Sequence, residues 1–251
     1  MTRHLTILTG ASRGMGYAMA VQLLQAGHDL LTLSRKTSDG LAERAAQAGR
    51  RLEQWPQDLA RADSAAARLE TWLKGYDTQD VASVTLINNA GLIPRIAPLD
   101  DIPMLQLAEA MRVDLEAPML LTGAFLRGTA GWQASRKVLN ISSGLGRRAM
   151  ASQAAYCAAK AGMDHFTRCV ALEQEAQPNG ARICSLAPGV IDTDMQVQLR
   201  GADAARFPDK GSFVGLKDKG MLTSPEEAAR RVLGFLARGD FGSHPVADVR
   251  D

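Results

Sequence analysis

The chain is short of several things, and each shortage removes a class of protein. Aromatic residues make up 5% of its 251 residues, and there are three cysteines. Cys157, Cys169 and Cys184 are odd in number and show no metal-ligand spacing, which argues against a disulfide scaffold or a bound metal. Two fall in a predicted helix and one in a predicted strand, so buried thiols in a reducing compartment are expected. Charge of one sign is lacking too: 29 Lys and Arg against 27 Asp and Glu leave a net charge of +2. Basic pairs such as Arg147-Arg148 and Arg230-Arg231 read as solvated surface, not as a stripe for nucleic acid. No apolar run approaches the roughly 20 residues of a membrane span, and the run in MTRHLTILTG is too short for a signal peptide. The expectation is a cytoplasmic protein without nucleic-acid or membrane partners.

What is present is apolar material, 46% of the chain, enough to bury the core of one α/β domain over residues 1–251. Short apolar runs at Leu5–Thr9, Asp29–Leu33, Arg51–Trp55, Val81–Ile87, Val138–Ser142 and Arg182–Leu186 read as strands, with a last one near Pro245–Val249. Helical stretches separate them: Ala18–Ala26, Gly40–Gly49, one from about Asp63, and one reaching about Ala176. Pro103–Gly128 predicts two helices or one kinked near Pro118. Ser224 and Glu227 predict a capping box with Pro225 in the first turn, for a helix running to about Arg238. Such alternation predicts a parallel, doubly wound sheet with ligands at the carboxyl ends of its strands.

The motifs fall at those ends. TGASRGMG, with Gly10, Gly14 and Gly16, stands between the first strand and first helix, where glycines let a helix N-terminus receive a pyrophosphate. A structural turn is the alternative. The second strand ends in Ser34-Arg35. An arginine there, helped by Arg13, suits the 2′-phosphate of NADP, whereas NAD favours an acid. Asp58 can accept from an adenine amino group or cap the helix that follows. In Asn88–Gly91, NNAG, the amides can tie strand ends together and Gly91 admits close approach. Pro188-Gly189 forces a turn, and Thr193 can donate to a nicotinamide amide or a phosphate. Arg200–Gly220, polar and broken by glycine and proline, reads as a lid within a substrate loop at about 190–222 or as plain surface.

The chain is organised around Asn140–Lys160. Tyr156 and Lys160 stand four apart on one helix face, so the ammonium is expected to favour the phenolate and lower the tyrosine pKa. Ser143 can hold a carbonyl oxygen while Tyr156 exchanges a proton with it. That equipment interconverts a carbonyl and an alcohol.

TGASRGMG, NNAG, Ser143 ahead of Tyr156, YCAAK, and PG followed by Thr193 occur in the order of the short-chain dehydrogenase/reductase family, which the whole chain resembles. The resemblance implies a Rossmann-type fold binding NADP(H) in preference to NAD(H). It makes Tyr156 the general acid, Lys160 the residue that lowers its pKa and holds the nicotinamide ribose, and Ser143 the carbonyl orienter. The expected cofactor contacts are Gly10, Ser12, Arg13, Gly14, Met15, Gly16, Ser34, Arg35, Asp58, Leu59, Asn89, Ala90 and Gly91. Tyr156, Lys160, Pro188, Gly189, Val190 and Thr193 complete them. One departure is Asp114, in RVDLEAP, where the family carries an asparagine in a proton relay; activity is expected to survive it. The stretches LAPGVIDTDMQ and FLARGDFGSHPVADVRD resemble sepiapterin reductases and bacterial benzil reductases, which implies Asp248 as a substrate anchor beside Ser143 and Tyr156. A surface acid paired with Arg250 is the alternative. The family also implies a homodimer or homotetramer through Pro103–Gly128 and Gln153–Ala176, although burial within the monomer explains LLTGAF and AGMDHF equally. The function so implied is reduction of a small cyclic or aromatic ketone or diketone by NADPH. The alternatives are a 3-oxoacyl-thioester reductase, an alcohol dehydrogenase, and an NADP-binding redox sensor.

Overall fold

In a computed structural model, which describes residues 2–251, seven strands form one sheet. They are β1 (Arg3–Thr9), β2 (Asp29–Ser34), β3 (Leu52–Pro56), β4 (Val81–Asn88), β5 (Ser135–Ile141), β6 (Arg182–Ala187) and β7 (Val246–Asp248). Their order is β3-β2-β1-β4-β5-β6-β7, and every neighbouring pair is parallel. The topological switch point lies between β1 and β4, so the loops after these two strands open a crevice. The sheet is the predicted Rossmann-type one.

Among the described residues, nine α-helices cover it: α1 (Gly14–Gln25), α2 (Asp39–Ala48), α3 (Ala62–Lys74), α4 (Met104–Met111), α5 (Ala117–Gly128), α6 (Ala154–Glu175), α7 (Asp194–Gly201), α8 (Lys210–Asp218) and α9 (Pro225–Ala237). The central strands are apolar on both faces because helices cover both. Side chains alternate between the faces. Ile7, Leu86 and Val138 pack with α3 and α5, whereas Leu8, Ile87 and Leu139 pack with α1 and α9.

The structure corrects several expectations. α1 starts at Gly14, ahead of the predicted Ala18, so Gly14 and Gly16 fall in its first turn and Gly10 in the turn before it. Pro103–Gly128 becomes α4, a π-helical turn over Arg112–Glu116, and α5. The irregularity sits at Asp114, ahead of Pro118, whose missing N–H costs little in the first turn of α5. Ser224 Oγ accepts from Glu227 N at 3.2 Å, but the Glu227 carboxylate turns to Arg230 and Arg231, so half the capping box is made. LLTGAF is core: Leu121, Ala124 and Phe125 are buried in the layer shared with α3. Cys184 is buried as expected, but Cys157 is half-buried and Cys169 exposed. The substrate loop expected at about 190–222 carries α7 and α8, anchored by Leu199 and by the fully buried Phe207 between them. No helix among the described residues is long and apolar enough to cross a membrane.

Candidate active site

The carboxyl ends of the strands line one cleft of about 1130 Å³. Its floor on one side is the turn from β1 into α1. Gly10 has φ +71°, and a Cβ on Gly16 would lie 2.1 Å from the Gly10 carbonyl oxygen, so neither position tolerates a side chain. Arg13, at the N-cap of α1, is extended and offers no side-chain cap, and the first turn holds no acid. The leading N–H groups of α1 are thus left to an anion. Short polar side chains brace this turn from neighbouring strands. Thr9 Oγ1 accepts from the N–H groups of Asn89 and Ala90, each at 2.9 Å. Asn89 Nδ2 donates to the carbonyls of Thr9 and Gly10, and Ala11 N donates to Ser34 Oγ at 2.9 Å. The glycine cradle, the uncapped helix start and the long cleft fit a dinucleotide.

Every expected cofactor position borders this cleft: Ser12, Met15, Arg35, Asp58, Leu59, Gly91, Pro188, Gly189, Val190 and Thr193 line it along with the residues above. Arg35 is exposed at its mouth. Arg13 is less free than expected, since it pairs with Asp194 at 2.5 Å across the cleft. Asp58 serves as a cap after all: Oδ1 accepts from Ala60 N at 3.0 Å and starts a 3-10 turn.

At the other end, β5 delivers Ser143 and α6 delivers Tyr156 and Lys160 into the cleft. Tyr156 is 7% exposed and Lys160 is 4% exposed. Lys160 Nζ donates to the Ile141 carbonyl at 2.9 Å and lies 5.6 Å from the centre of the Tyr156 ring. The expected lowering of the tyrosine pKa is therefore not what the protein alone produces. Burial pushes the phenol well above its ordinary value, the Asp114 charge adds to that, and the Ser143 hydroxyl opposes it. Burial lowers the Lys160 pKa, against the pull of Asp114 and Asp164. Asp114, at the π-helical turn, is fully buried, and its Oδ1 accepts from Leu92 N at 2.8 Å. Burial pushes its carboxyl up to about 6, opposed by Lys160. Asp114 Oδ2 has no hydrogen-bond partner among the described residues.

Two buried networks set this end. Thr122, Asn88, Asn140 and Thr167 form a hydrogen-bonded chain across α5, β4, β5 and α6. Asp164, on α6, accepts from Ser142 and Ser185, each at 2.6 Å, and from Arg147, whose guanidinium also reaches the Ala247 carbonyl. The sequence reading missed Asp164 and Gln153, and Arg147, expected only as solvated surface, is instead paired with the buried Asp164. A signal for Asp164 existed: it is an acid four positions past Lys160, on the buried face of α6. Asp248 borders the cleft, but both its carboxylate oxygens are taken by Arg250, at 2.6 and 2.7 Å. It is buried, unlike a surface acid, yet paired with Arg250 as that alternative expects.

The family model for short chain dehydrogenase matches residues 4–204. A benzil reductase ((S)-benzoin forming) of Bacillus cereus is 34% identical over 97% of this chain and 98% of its own. A sepiapterin reductase of Xenopus tropicalis is 31% identical over 98% of this chain and 96% of its own. Among solved structures, one described as a 2-deoxy-d-gluconate 3-dehydrogenase from Agrobacterium tumefaciens, with bound NADP, superposes with a TM-score of 0.79 at 28% identity. It covers 99% of this chain and 95% of its own.

Proposed function

This chain belongs to the short-chain dehydrogenase/reductase family and is an oxidoreductase of C=O and CH–OH groups, and from that premise we propose that it is an NADPH-dependent reductase of small aromatic or cyclic ketones and diketones. The observation that carries the reading is the meeting of Ser143, Tyr156 and Lys160 at one end of a cleft whose other end is a glycine-floored helix start. NADPH, when bound, supplies the hydride to the carbonyl carbon. Ser143 orients the carbonyl oxygen, and Tyr156, kept protonated by burial, gives it the phenolic proton. The buried Lys160 ammonium stabilises the tyrosinate left behind and holds the nicotinamide ribose. Arg35 and Arg13 receive the 2′-phosphate, which favours NADP over NAD. Gly10–Gly16, Ser34, Asp58, Leu59, Asn89–Gly91 and Pro188–Thr193 hold the rest of the dinucleotide. Asp248, paired with Arg250, borders the substrate.

The similarity to benzil and sepiapterin reductases supports an aromatic or cyclic substrate over an acyl thioester. Leu145, Ile93, Met195 and Phe213 supply apolar wall at that end of the cleft. Exposed Met104, Leu105 and Leu172, on α4 and α6, support association of copies through these helices.

The test is the initial rate of NADPH oxidation with benzil, sepiapterin and acetoacetyl-CoA, for the wild type and Tyr156→Phe. Benzil or sepiapterin should be reduced and the thioester should not. Tyr156→Phe should lower kcat about 10³-fold while NADPH still binds. Tight NADPH binding without turnover of any of the three would favour a redox sensor.

A further inference from the structure

Gln153 is 2% exposed, borders the same cleft as Tyr156, and neither its Oε1 nor its Nε2 has a hydrogen-bond partner among the described residues. A buried primary amide with both ends unpaired is costly, and native proteins seldom keep one without use. The backbone around it is fixed. The Gln153 carbonyl accepts from Cys157 N at 2.8 Å, and its N–H donates to the Met150 carbonyl at 3.3 Å. Ser152, just before it, has φ +63°, a strained conformation for a residue with a side chain. The Ser152 hydroxyl donates to the Arg206 carbonyl at 2.5 Å, which ties this turn to the segment between α7 and α8. The backbone that carries the amide is thus held in place, three positions ahead of Tyr156.

Resting on the carbonyl-reductase reading, we propose that Gln153 determines substrate specificity: its amide binds an oxygen function, carbonyl or hydroxyl, on the carbon next to the reacting carbonyl. Ser143 and Tyr156 take the reacting oxygen. Gln153 Nε2 then donates to a second carbonyl, as in a 1,2-diketone, or Oε1 accepts from the hydroxyl of an α-hydroxyketone. Oxygens on adjacent carbons, each reached by a hydrogen bond of about 2.9 Å, can bridge side chains set one helical turn, about 5.4 Å, apart. A plain ketone leaves the amide buried and unpaired, and a site built to bond a polar group discriminates against the analogue that lacks it. A 3-oxoacyl thioester carries its second carbonyl one carbon too far away.

The experiment compares kcat/KM for 1-phenyl-1,2-propanedione and for propiophenone, the same skeleton without the second oxygen. It uses the wild type, Gln153→Leu and Gln153→Glu with NADPH. The wild type should prefer the dione, and the dione-to-ketone ratio should fall about tenfold in Gln153→Leu. Gln153→Glu keeps the shape but loses the donor, so it should lose the dione preference and retain activity on 2-hydroxypropiophenone. An unchanged ratio in both variants overturns the proposal, whether a water or nothing satisfies the amide. Loss of NADPH binding in both variants also overturns it, since Gln153 would then be structural. If the wild type binds NADPH and reduces none of these compounds, the carbonyl-reductase reading has failed. The affinity of NADP⁺-loaded protein for 2-hydroxypropiophenone then decides the Gln153 claim separately: tenfold weakening in Gln153→Leu supports it, and no change overturns it.

Discussion

The two ends of the cleft are built by different physics. At the glycine end, short side chains on adjacent strands bond directly to backbone: Thr9 to Asn89 and Ala90, Asn89 to Thr9 and Gly10, Ser34 to Ala11. These bonds span neighbouring strands and leave the turn little freedom. The opposite wall, α7 and α8, rests on a small apolar cluster of Ile93, Ile96, Tyr156, Leu199 and Phe207, apart from the two layers flanking the sheet. Ion pairs at its edge complete the attachment: Lys217 with Asp192 at 2.6 Å, Arg206 with Asp101, and Arg13 with Asp194. Exposed pairs contribute little, about 0–1 kcal/mol each. The glycine end is therefore set for one ligand shape, and the other wall is attached loosely enough to adjust to its substrate.

Three substitutions test that contrast, the largest effect first. Arg35→Asp, at the glycine end, replaces the proposed partner for the 2′-phosphate by a repelling charge. The ratio of NADPH to NADH kcat/KM should fall about 100-fold, with the ketone KM unmoved. A changed ketone KM would mean that the two ends are not independent.

Asp114→Asn probes the seam between them. A folded pKa of about 6 against an ordinary 3.8 means that the folded state binds the proton more tightly. Stability therefore falls as pH rises from about 4 to about 6 and stays reduced above that. The amide removes this slope, so urea melts should show a gain of about 1–3 kcal/mol at pH 7 and none at pH 4. Wild-type turnover should survive the carboxylate; a large rise in kcat in the variant would mean that Asp114 slows proton supply.

The smallest effect belongs to Asp194→Ala. The Arg13–Asp194 pair crosses the cleft with side chains 70% and 72% exposed. Its loss should shift the melting temperature by no more than a degree or two, in keeping with an exposed pair. It should also tighten NADPH modestly by freeing Arg13, an effect that disappears at high salt.

These contrasts match what could be read from residues in order. The glycine turn, the Tyr156–Lys160 spacing and the apolar strand runs are local patterns. Backbone freedom, helix periodicity and strand burial act over a few residues, and the fold and the line of the cleft followed from them. Over Arg200–Gly220, glycine and proline break the helical pattern and the residues read as loop, whereas burial of Phe207 outweighs that local preference.

The doubly wound sheet, the glycine turn and the proposed Ser143, Tyr156 and Lys160 set follow from short stretches of residues read in order. The electrostatics around those three side chains came from the packing. The order β1-β4-β5-β6 puts Asp114, Asp164 and Lys160 into one buried volume, where desolvation, joined by the Asp114 charge, outweighs the Ser143 hydroxyl and raises the phenol instead of lowering it. It also decided that Gln153 is buried with its amide unpaired, because no local pattern states which polar side chains the folded chain encloses.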